Sequence, residues 1–513
     1  MNNHVTAMKK KTTLLIFPLF LLSACAPVPI VPYTADELKD RVFVDREQMY
    51  ANQEPVTGPI SFEEAAARAL KYNLDYRLKL MEQALAKNLY DVSQHEMLPR
   101  LVVSAGFAQR NNDSGGTSVG IDDGQVSLRP STSQERYRDL RNLGFSWSLL
   151  DFGVSYARAR QKGDQILMAE ERRRKVMQNV LQDVRNAYWR ALGAQRLIGE
   201  VDALLVRVNK ALVSARIAED KNLLPLQQAL AYQRALLDAV SILTLRRQDL
   251  ELARSELAAL MSLPPGTPFV LADGAEPALP AAPASIEVLE RLALERRPEI
   301  MEEWYRKRVT EADIKVAKMQ LWPNIGLDVN AQYDSNQYLY NNNWIDTGFR
   351  VSLNLLKLLQ MPALDEAQAS QNKTDDLRRM ALSMAVLTQV RVGTLRYNLA
   401  LSDLQFANQS LRVDGRLLEY AKAAAKVSAD SELEVVRAEA RWLLARYQRY
   451  IAYSHAQSSW GQLYNSVGLE VLPDAVASHD VKALAVEIRQ TMAQWEKTAF
   501  QTSKVAVDAK PAN

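Results

Sequence analysis

The sequence is poor in the residues that most often carry chemistry. It contains one cysteine and four histidines among 513 residues, which excludes an intramolecular disulfide framework and a cysteine-cluster metal site. The histidines are far apart, and no HExxH spacing occurs. Walker, CxxC and glycine-rich dinucleotide motifs are also missing from the sequence. We therefore expect no enzyme, no cofactor and no metal site.

Charge and hydropathy exclude two further classes of protein. The formal net charge is only +3, and charged residues make up 24% of the chain, so the basic field that a nucleic-acid partner requires is missing. No apolar run reaches the roughly 20 residues of a membrane-spanning helix, and the mean hydropathy is −0.22. These values leave a membrane β-barrel open, because barrel strands are short and only half apolar.

Residues 1–24 have the pattern of a secretory signal. Lys9, Lys10 and Lys11 precede a short apolar run over 14–22. The run ends in Leu22-Ser23-Ala24-Cys25, which resembles the bacterial lipobox and makes Cys25 the expected lipidation site. The alternative is an ordinary signal followed by an incidental cysteine. The three lysines account for the whole net charge of +3, so the exported chain has no formal net charge.

Beyond the signal, the sequence divides into a tether and two copies of one unit. Prolines in residues 25–60 predict an extended, lipid-anchored tether. A set of residues then recurs at a constant offset of 224, which indicates an internal duplication. The first members are Ser61, Glu63, Ala69, Leu70, Val92 and Pro99, and their counterparts are Ser285, Glu287, Ala293, Leu294, Val316 and Pro323. We assign the first repeat to 61–262, a proline-rich strap to 263–284, the second repeat to 285–472 and a C-terminal segment and tail to 473–513.

Each copy is predicted to begin with a helix that runs from its capping serine to Pro99 or Pro323, where the residue pattern changes to period two. The predicted strands lie at about 101–110, 141–150, 325–333 and 348–355. Their alternate residues form an apolar face: Leu101, Val103, Ala105, Phe107, Leu143, Phe145, Trp147, Leu149, Ile325, Leu327, Val329, Ala331, Tyr333, Phe349, Val351, Leu353 and Leu355.

This alternation is typical of a soluble sandwich with one solvated face and also of a lipid-facing barrel wall. Four strands are too few to close a membrane barrel, whose minimum is about eight strands. Open sheet edges cannot lie in hydrocarbon. A membrane wall would therefore have to be built by several chains.

Long helical hairpins are predicted after each pair of strands, over about 155–262 and about 363–468. Apolar and small residues follow an unbroken 4-3 spacing from Val180 to Ala215 and from Val386 to Ala425. A sustained repeat of this kind predicts left-handed coiled coils. The hairpin turns are expected near Asp220-Lys221-Asn222 and Asp430-Ser431-Glu432.

The order of these elements resembles the outer membrane factor family, the TolC-like exit ducts of tripartite efflux and secretion systems, in its lipoprotein subgroup. The resemblance covers about residues 60–472. It implies a mainly α-helical protein with a membrane β-barrel, in which a trimer forms one 12-stranded barrel and a long periplasmic α-helical barrel. It further implies a passive outer-membrane channel that works with a periplasmic adaptor and an inner-membrane pump.

The resemblance also assigns roles to residues near the hairpin turns. The family's acidic gate stretch aligns with 433–438, where Glu434 occupies the first acidic position and Arg437 replaces the second; Asp430 is a further gate candidate. The alternative is that Glu434 and Arg437 form an ordinary surface pair at i and i+3. The candidates for adaptor contact are Arg216, Glu219, Asp220, Lys221, Asn222, Lys426, Ser431 and Glu432.

Two other functions are kept as alternatives. One is an exit duct for type I protein secretion, because the family that the sequence resembles also serves secretion systems. The other, of a different class, is a lipid-anchored periplasmic coiled-coil scaffold with soluble β-hairpins. The 14 methionines form no repeated cluster, so the sequence does not indicate a copper-specific path.

Overall fold

The computed structural model describes residues 32–127, 129–221, 225–281, 285–427, 432–470 and 479–498, in two compact units that divide between Gln53 and Glu54. The described residues of the first unit, from 32 onward, contain one helix, α1 (Ala35–Met49). Thr34 caps this helix: Glu37 N donates to Thr34 Oγ1 at 3.3 Å, and Thr34 N donates to Glu37 Oε2 at 2.8 Å. The extended tether predicted for 25–60 is therefore wrong over α1, because a capping box starts a helix there.

The second unit contains the two copies, each with helices followed by strands and a long hairpin. The first copy comprises α2 (Phe62–Tyr72), α3 (Leu74–His95), β1 (Arg100–Gln109), β2 (Gly115–Gly116), β3 (Ser131–Thr132), β4 (Tyr137–Ser148), α4 (Leu149–Asp220) and α5 (Leu226–Leu260). The second comprises α6 (Ile286–Arg296), α7 (Pro298–Met319), β5 (Asn324–Asp334), β6 (Asn343–Ser352), a 3₁₀ helix (Leu355–Gln360), α8 (Met361–Ala425) and α9 (Glu432–Ser466). Helix α10 (Val481–Thr498) follows. Among the described residues, no helix is both long enough and apolar enough to cross a membrane.

Each copy begins with two helices, whereas the sequence analysis predicted one. In the first copy the break lies at Asn73, whose Oδ1 accepts from Tyr76 N at 3.1 Å and so caps α3. In the second copy the break lies at Arg297, 224 residues later, and Pro298 occupies the first turn of α7. Asparagine caps and first-turn prolines favour a new helix start. Both signals are present in the sequence and were overlooked.

The ends of two strands also differ from the prediction. Strand β6 spans 343–352 instead of 348–355, so Leu353 and Leu355 lie outside the sheet. Leu149 belongs to α4 because Asp151 N donates to Ser148 Oγ at 3.1 Å, which caps the helix directly after β4. A serine cap thus ends the strand one residue before the apolar alternation ends.

Strands from both copies form one antiparallel sheet in the order β1–β4–β5–β6. Strand β4 of the first copy pairs with β5 of the second, with Phe145 opposite Val329. The short strands β2 and β3 pair only with each other. Within the chain, β1 and β6 are therefore the edges of the four-stranded sheet.

The long hairpins follow the predicted coiled-coil pattern. Residues of the first predicted seam, such as Val184, Val208 and Ala215, are buried, as are Val390 and Tyr397 of the second. At 1.5 Å per residue, the 72 residues of α4 correspond to a helix of about 108 Å. The periodicity therefore identified both the helices and the faces that pack within the chain.

The two hairpins end in the same way. Ser262 and Gly468 each lie two residues beyond the last helix of their copy, and both have positive φ, 56° and 75°. Ser262 Oγ donates to the carbonyl oxygen of Tyr72, the last residue of α2, at 3.1 Å. A Cβ on Gly468 would lie 2.9 Å from the carbonyl carbon of Arg296, the last residue of α6. In each copy, the end of the hairpin thus packs against the end of the first helix.

Candidate functional site

One face of the sheet is apolar and exposed. The register aligns Leu101 with Phe145, and it aligns Leu327 with Phe349. The exposed fractions are 67% for Leu101, 77% for Val103 and 72% for Phe349. The predicted apolar face is therefore confirmed within the strands. Three leucines predicted to belong to it lie outside the strands: Leu149, Leu353 and Leu355. Monomeric soluble proteins rarely leave so continuous an apolar surface uncovered.

Aromatic side chains border this apolar face at both ends. At the end near the long helices, the rings of Trp147 and Phe152 are in edge contact with centroids 6.2 Å apart. At the far end, Phe107 stacks on Tyr137 with ring centroids 6.3 Å apart. There the guanidinium of Arg141 lies over the ring of Tyr333, its partner on the adjacent strand. Aromatic girdles flanking an apolar band are characteristic of barrel walls that face lipid.

The opposite face of the sheet is polar and lined with small residues. One row across the strands contains Arg100, Ser146, Asp328 and Gly348. In the next row, a Cβ on Gly144 would lie only 2.7 Å from Asn330 Oδ1, so the glycine leaves room for the amide. A recess of about 900 Å³ lies between the helix end of this face and the adjoining helices, with polar residues such as His95, Asp151 and Arg350 in its lining. This face can therefore line a water-filled passage.

Hydrogen bonds join the two loops at the far end of the sheet. Asn336 is 2% exposed; its Nδ2 donates to the carbonyl oxygen of Ser133 at 2.8 Å, and its Oδ1 accepts from Glu135 N at 3.1 Å. Arg138 Nη1 donates to Asp334 Oδ2 at 3.1 Å. Because the partners lie about 200 residues apart, no local pattern indicates these bonds.

The described candidate tip residues lie at the helix ends remote from the sheet. Glu219, in the last turn of α4, accepts a hydrogen bond from Gln233 Nε2 of α5, which ties the two arms of the hairpin together. The other described candidates are all exposed: Arg216, Asp220, Lys221 and Lys426. Three of the remaining candidates lie outside the described residues: Asn222, Asp430 and Ser431. Glu432 begins α9, but its side chain is not described.

The two gate candidates near the start of α9 are paired with each other. Arg437 Nη1 donates to Glu434 Oε1 at 2.7 Å, and both side chains are at least one-third exposed. This is the i, i+3 geometry of an ordinary helix-surface pair. Val436, between them in sequence, is buried in the hairpin core. The pair therefore lies on a helix side that the rest of the described chain leaves open.

Ion pairs that the sequence analysis missed connect α9 with α4. Arg207 Nη1 lies 2.5 Å from Glu439 Oε2, and Arg446 pairs with Glu200 two turns further along. These bonds join the hairpin of one copy to the hairpin of the other. The participants lie more than 230 residues apart, and their charges look like those of any solvated helix face. No sequence pattern distinguishes them.

A buried carboxylate on α4 has a perturbed pKa. Glu171 is 7% exposed and accepts a hydrogen bond from Arg174 Nη1 at 2.6 Å. Burial raises the pKa of Glu171 to about 7, because the nearby Arg174 only partly offsets the loss of hydration. Arg174 also pairs with Glu470, so one arginine serves two carboxylates.

We expect Glu171→Gln to change the pH dependence of stability. Because the pKa of Glu171 is higher in the folded state than in the unfolded state, the protonated carboxyl contributes to stability. This contribution is complete below the unfolded pKa of about 4.5 and is lost as the pH rises through 7. The wild type should therefore lose up to about 3 kcal/mol relative to the glutamine variant between pH 4.5 and pH 8. Thermal unfolding in detergent at pH 5 and pH 8 measures this difference.

The control for this prediction is Val184→Ala, which shortens an uncharged buried side chain on the same helix. Its effect on the melting temperature should be the same at both pH values, because no ionisable group is changed. If Glu171→Gln also shifts the melting temperature equally at pH 5 and pH 8, the assignment of a raised pKa to Glu171 is wrong.

The class of protein, the outer-membrane efflux proteins, follows from a match in sequence. The sequence matches the outer membrane efflux protein family over residues 66–261 and 289–469. The two matched segments lie within the two copies of the repeat. The chain therefore belongs to the outer membrane efflux protein family, as the resemblance in sequence predicted. Proteins of this family are transport channels of the outer membrane and not enzymes.

Solved outer-membrane channels have a similar fold. The open-state MtrE channel of Neisseria gonorrhoeae is 16% identical with a TM-score of 0.62, covering 82% of this chain and 94% of that one. CmeC of Campylobacter jejuni is 14% identical with a TM-score of 0.61, covering 93% and 98%. The channel OprN is 18% identical with a TM-score of 0.60, covering 79% and 89%. A comparison with curated protein sequences gives no significant match.

Proposed function

We propose that the chain is the outer-membrane exit duct of a tripartite efflux system, and that it conducts substrates passively from a periplasmic adaptor and an inner-membrane pump to the exterior. The observation that carries this proposal is the four-stranded sheet, with an exposed apolar face on one side and a polar face of small residues on the other. A lipid-facing wall around an aqueous passage has this arrangement.

The open edges of the sheet support assembly from several copies. Strands β1 and β6 have unpaired backbone groups along one side, and such groups are not tolerated in hydrocarbon. Two copies would supply eight strands and three would supply twelve, both of which occur in membrane barrels. The resemblance to the outer membrane factor family favours three. We therefore propose a homotrimer with one 12-stranded barrel.

A second apolar stripe on α8 supports the same assembly. Besides the face that packs within the chain, α8 carries exposed apolar residues that fit a repeat of about 3.5 residues. They are Leu377, Met380, Met384, Val392, Leu395, Leu399, Phe406, Val413, Leu417 and Tyr420. A coiled-coil stripe of this length favours contact with helices of neighbouring copies. Their union would form the periplasmic α-helical barrel.

The alternatives have less support. A lipid-anchored periplasmic scaffold would leave the apolar sheet face in water, which is unfavourable at about 25 cal/mol per Å². A type I secretion duct would have the same walls, and no described residue favours it. Efflux is preferred because the matching family is that of the outer membrane efflux proteins.

The proposed duct is tested by purifying the chain from membranes in mild detergent and recording currents in planar bilayers. We expect a species that migrates as a trimer before heating and as a monomer after heating, and that produces stepwise conductance. A water-soluble monomer that produces no conductance would contradict both the barrel and the trimer.

Within this proposal, Glu434 and Arg437 form part of the gate at the periplasmic end, together with Asp430. Three copies would place three such pairs around the passage, where charged rings control ion flow. Removing the carboxylate by Glu434→Ala, or reversing the charge by Arg437→Glu, is expected to change single-channel conductance by about twofold or more. The measurement is the conductance of single channels in planar bilayers at low salt.

A matched control for the gate is the i, i+4 pair Arg234–Asp238 on α5, because the Asp238 side chain is 52% exposed, as is that of Glu434. Asp238→Ala should leave the conductance unchanged. If Glu434→Ala also leaves it unchanged, the Glu434–Arg437 pair is ordinary helix surface, worth a few tenths of a kcal/mol.

We also propose that the hairpin tips contact the adaptor. Each described tip candidate is exposed, apart from Glu219, which holds the two arms of its hairpin together. These residues lie at the helix ends opposite the sheet, so the sheet and the adaptor would occupy opposite ends of the duct.

Lipid anchoring through Cys25 is a further part of the proposal, and Cys25 lies outside the described residues. Because Cys25 is the only cysteine, Cys25→Ser is expected to abolish incorporation of radiolabelled palmitate while leaving the rest of the chain unaltered. Labelling that persists in this variant would show that the lipobox assignment is wrong.

A further inference from the structure

The connection from sheet to long helix differs between the two copies. In the first copy, β4 ends at Ser148 and α4 begins at Leu149, with no residue between them. In the second copy, residues 353–360 separate β6 from α8 and include the 3₁₀ helix. The second copy therefore has an additional segment at the helix end of the sheet.

This segment is amphipathic with the period of a 3₁₀ helix. Residues three apart eclipse one another in such a helix, so the sequence Leu-Leu-Lys-Leu-Leu-Gln gives three faces. Leu355 and Leu358 share one face, and Leu356 and Leu359 share the next. The third face carries Lys357 and Gln360. Two of the three faces are therefore apolar, and the single charge lies on the remaining one.

Leu356 and Leu359, on one face of this segment, are among the most exposed apolar residues of the described chain. The exposed fractions are 77% for Leu356 and 78% for Leu359. Asn354 Oδ1 accepts from Leu356 N at 3.1 Å and from Lys357 N at 3.3 Å, which fixes the start of the segment. The backbone is thus ordered by its own cap, while the leucine side chains contact little of the described chain.

The exposed leucines continue the apolar face of the sheet. Phe349 and Val351 are exposed on the last part of β6, and Leu353 is exposed directly after them. The 3₁₀ helix follows two residues later, at the edge of the band that we propose faces lipid. A lysine at this edge suits the boundary between acyl chains and head groups, because its stem is apolar and its charge can reach phosphate.

We propose that residues 353–361 form an interfacial membrane anchor in the periplasmic leaflet of the outer membrane. The leucines lie among the acyl chains and Lys357 lies near lipid phosphates, in the manner of an amphipathic segment parallel to the membrane. This inference rests on the proposed lipid-facing role of the sheet. The anchor occurs in the second copy alone, so a trimer has three such contacts around the base of the barrel.

The test uses a fluorophore attached to Leu356→Cys in the purified full chain, reconstituted in vesicles of phosphatidylethanolamine and phosphatidylglycerol. Quenching by nitroxide-labelled phospholipid is compared with quenching by aqueous iodide. We expect lipid quenching to exceed iodide quenching by about threefold or more at this position. Leu359→Cys, on the same face of the 3₁₀ helix, provides an independent second variant.

Two control positions separate this inference from the proposed duct. Phe349→Cys reports on the apolar face of the sheet, and Gly348→Cys reports on the polar face. If position 349 is quenched by lipid while 356 and 359 are quenched by iodide, or by neither agent because another copy covers them, the anchor is wrong and the duct stands. If 348 and 349 behave alike, the lipid-facing role of the sheet is itself wrong.

Discussion

Replacing Phe349 by lysine is expected to prevent assembly of the chain in the membrane. Phe349 lies on the apolar face of the sheet, opposite Leu327 on β5, and it is largely exposed. A lysine on the lipid face of a membrane barrel costs about 2–4 kcal/mol at the bilayer midplane. A homotrimer bears this cost three times, so the total is about 6–12 kcal/mol. The measurement is the amount of heat-dissociable trimer in the outer-membrane fraction.

Gly348→Lys is the matched control, one residue away on the opposite face. A Cβ at position 348 would lie 3.9 Å from Asp328 Cβ, which is ordinary contact, so the side chain has room. This variant should assemble close to the wild-type level, because its charge faces water. Equal loss in both variants, or equal tolerance of both, would contradict the assignment of the two faces.

Replacing Gly468 by alanine is the second large expected effect. Gly468 has φ of 75°, a region that costs a residue with a Cβ about 1–2 kcal/mol. The new Cβ would also lie 2.8 Å from Arg297 N and 2.9 Å from the carbonyl carbon of Arg296. These are backbone atoms, so the end of α9 and the start of α7 must separate. We expect a total loss of about 3 kcal/mol or more, measured by thermal unfolding in detergent.

Gly266→Ala separates the two contributions. Gly266 has φ of 82°, but a Cβ there would meet nothing within 4 Å. Its replacement should therefore cost only the backbone conformational term, about 1–2 kcal/mol. If Gly468→Ala lowers the free energy of unfolding no more than Gly266→Ala does, the close approach of Gly468 to the junction of α6 and α7 contributes nothing to stability.

The parts of the fold with a short residue period could be predicted from the sequence. The alternation in 325–333 and the 4-3 spacing from Val386 onward both describe which side of an element is apolar, and each needs only neighbouring residues. The constant offset between Ser61 and Ser285 revealed the duplication for the same reason. These patterns placed the sheet and the hairpins in the right order along the chain.

Other features were not predicted because they depend on single caps, which are weak signals, or on distant residues. One asparagine, Asn73, divides a helix that its apolar pattern would continue, and one serine, Ser148, ends β4 and starts α4. The bonds from Asn336 to Ser133 and from Arg207 to Glu439 join residues that only the fold brings together. The second stripe on α8 was also missed, since a single seam was sufficient to predict the helix.

We propose that the edges of the sheet meet between copies and close one barrel. Leu101 is the second residue of β1 and Val351 is the second-last residue of β6, so both lie at the helix end of the sheet. The most direct measurement is crosslinking of the Leu101→Cys/Val351→Cys variant in native membranes with a short thiol-reactive reagent, with each single variant as control. Three copies that close one ring should give products of two and three linked chains and none larger. An absence of intermolecular products, or a ladder extending beyond three chains, would contradict it.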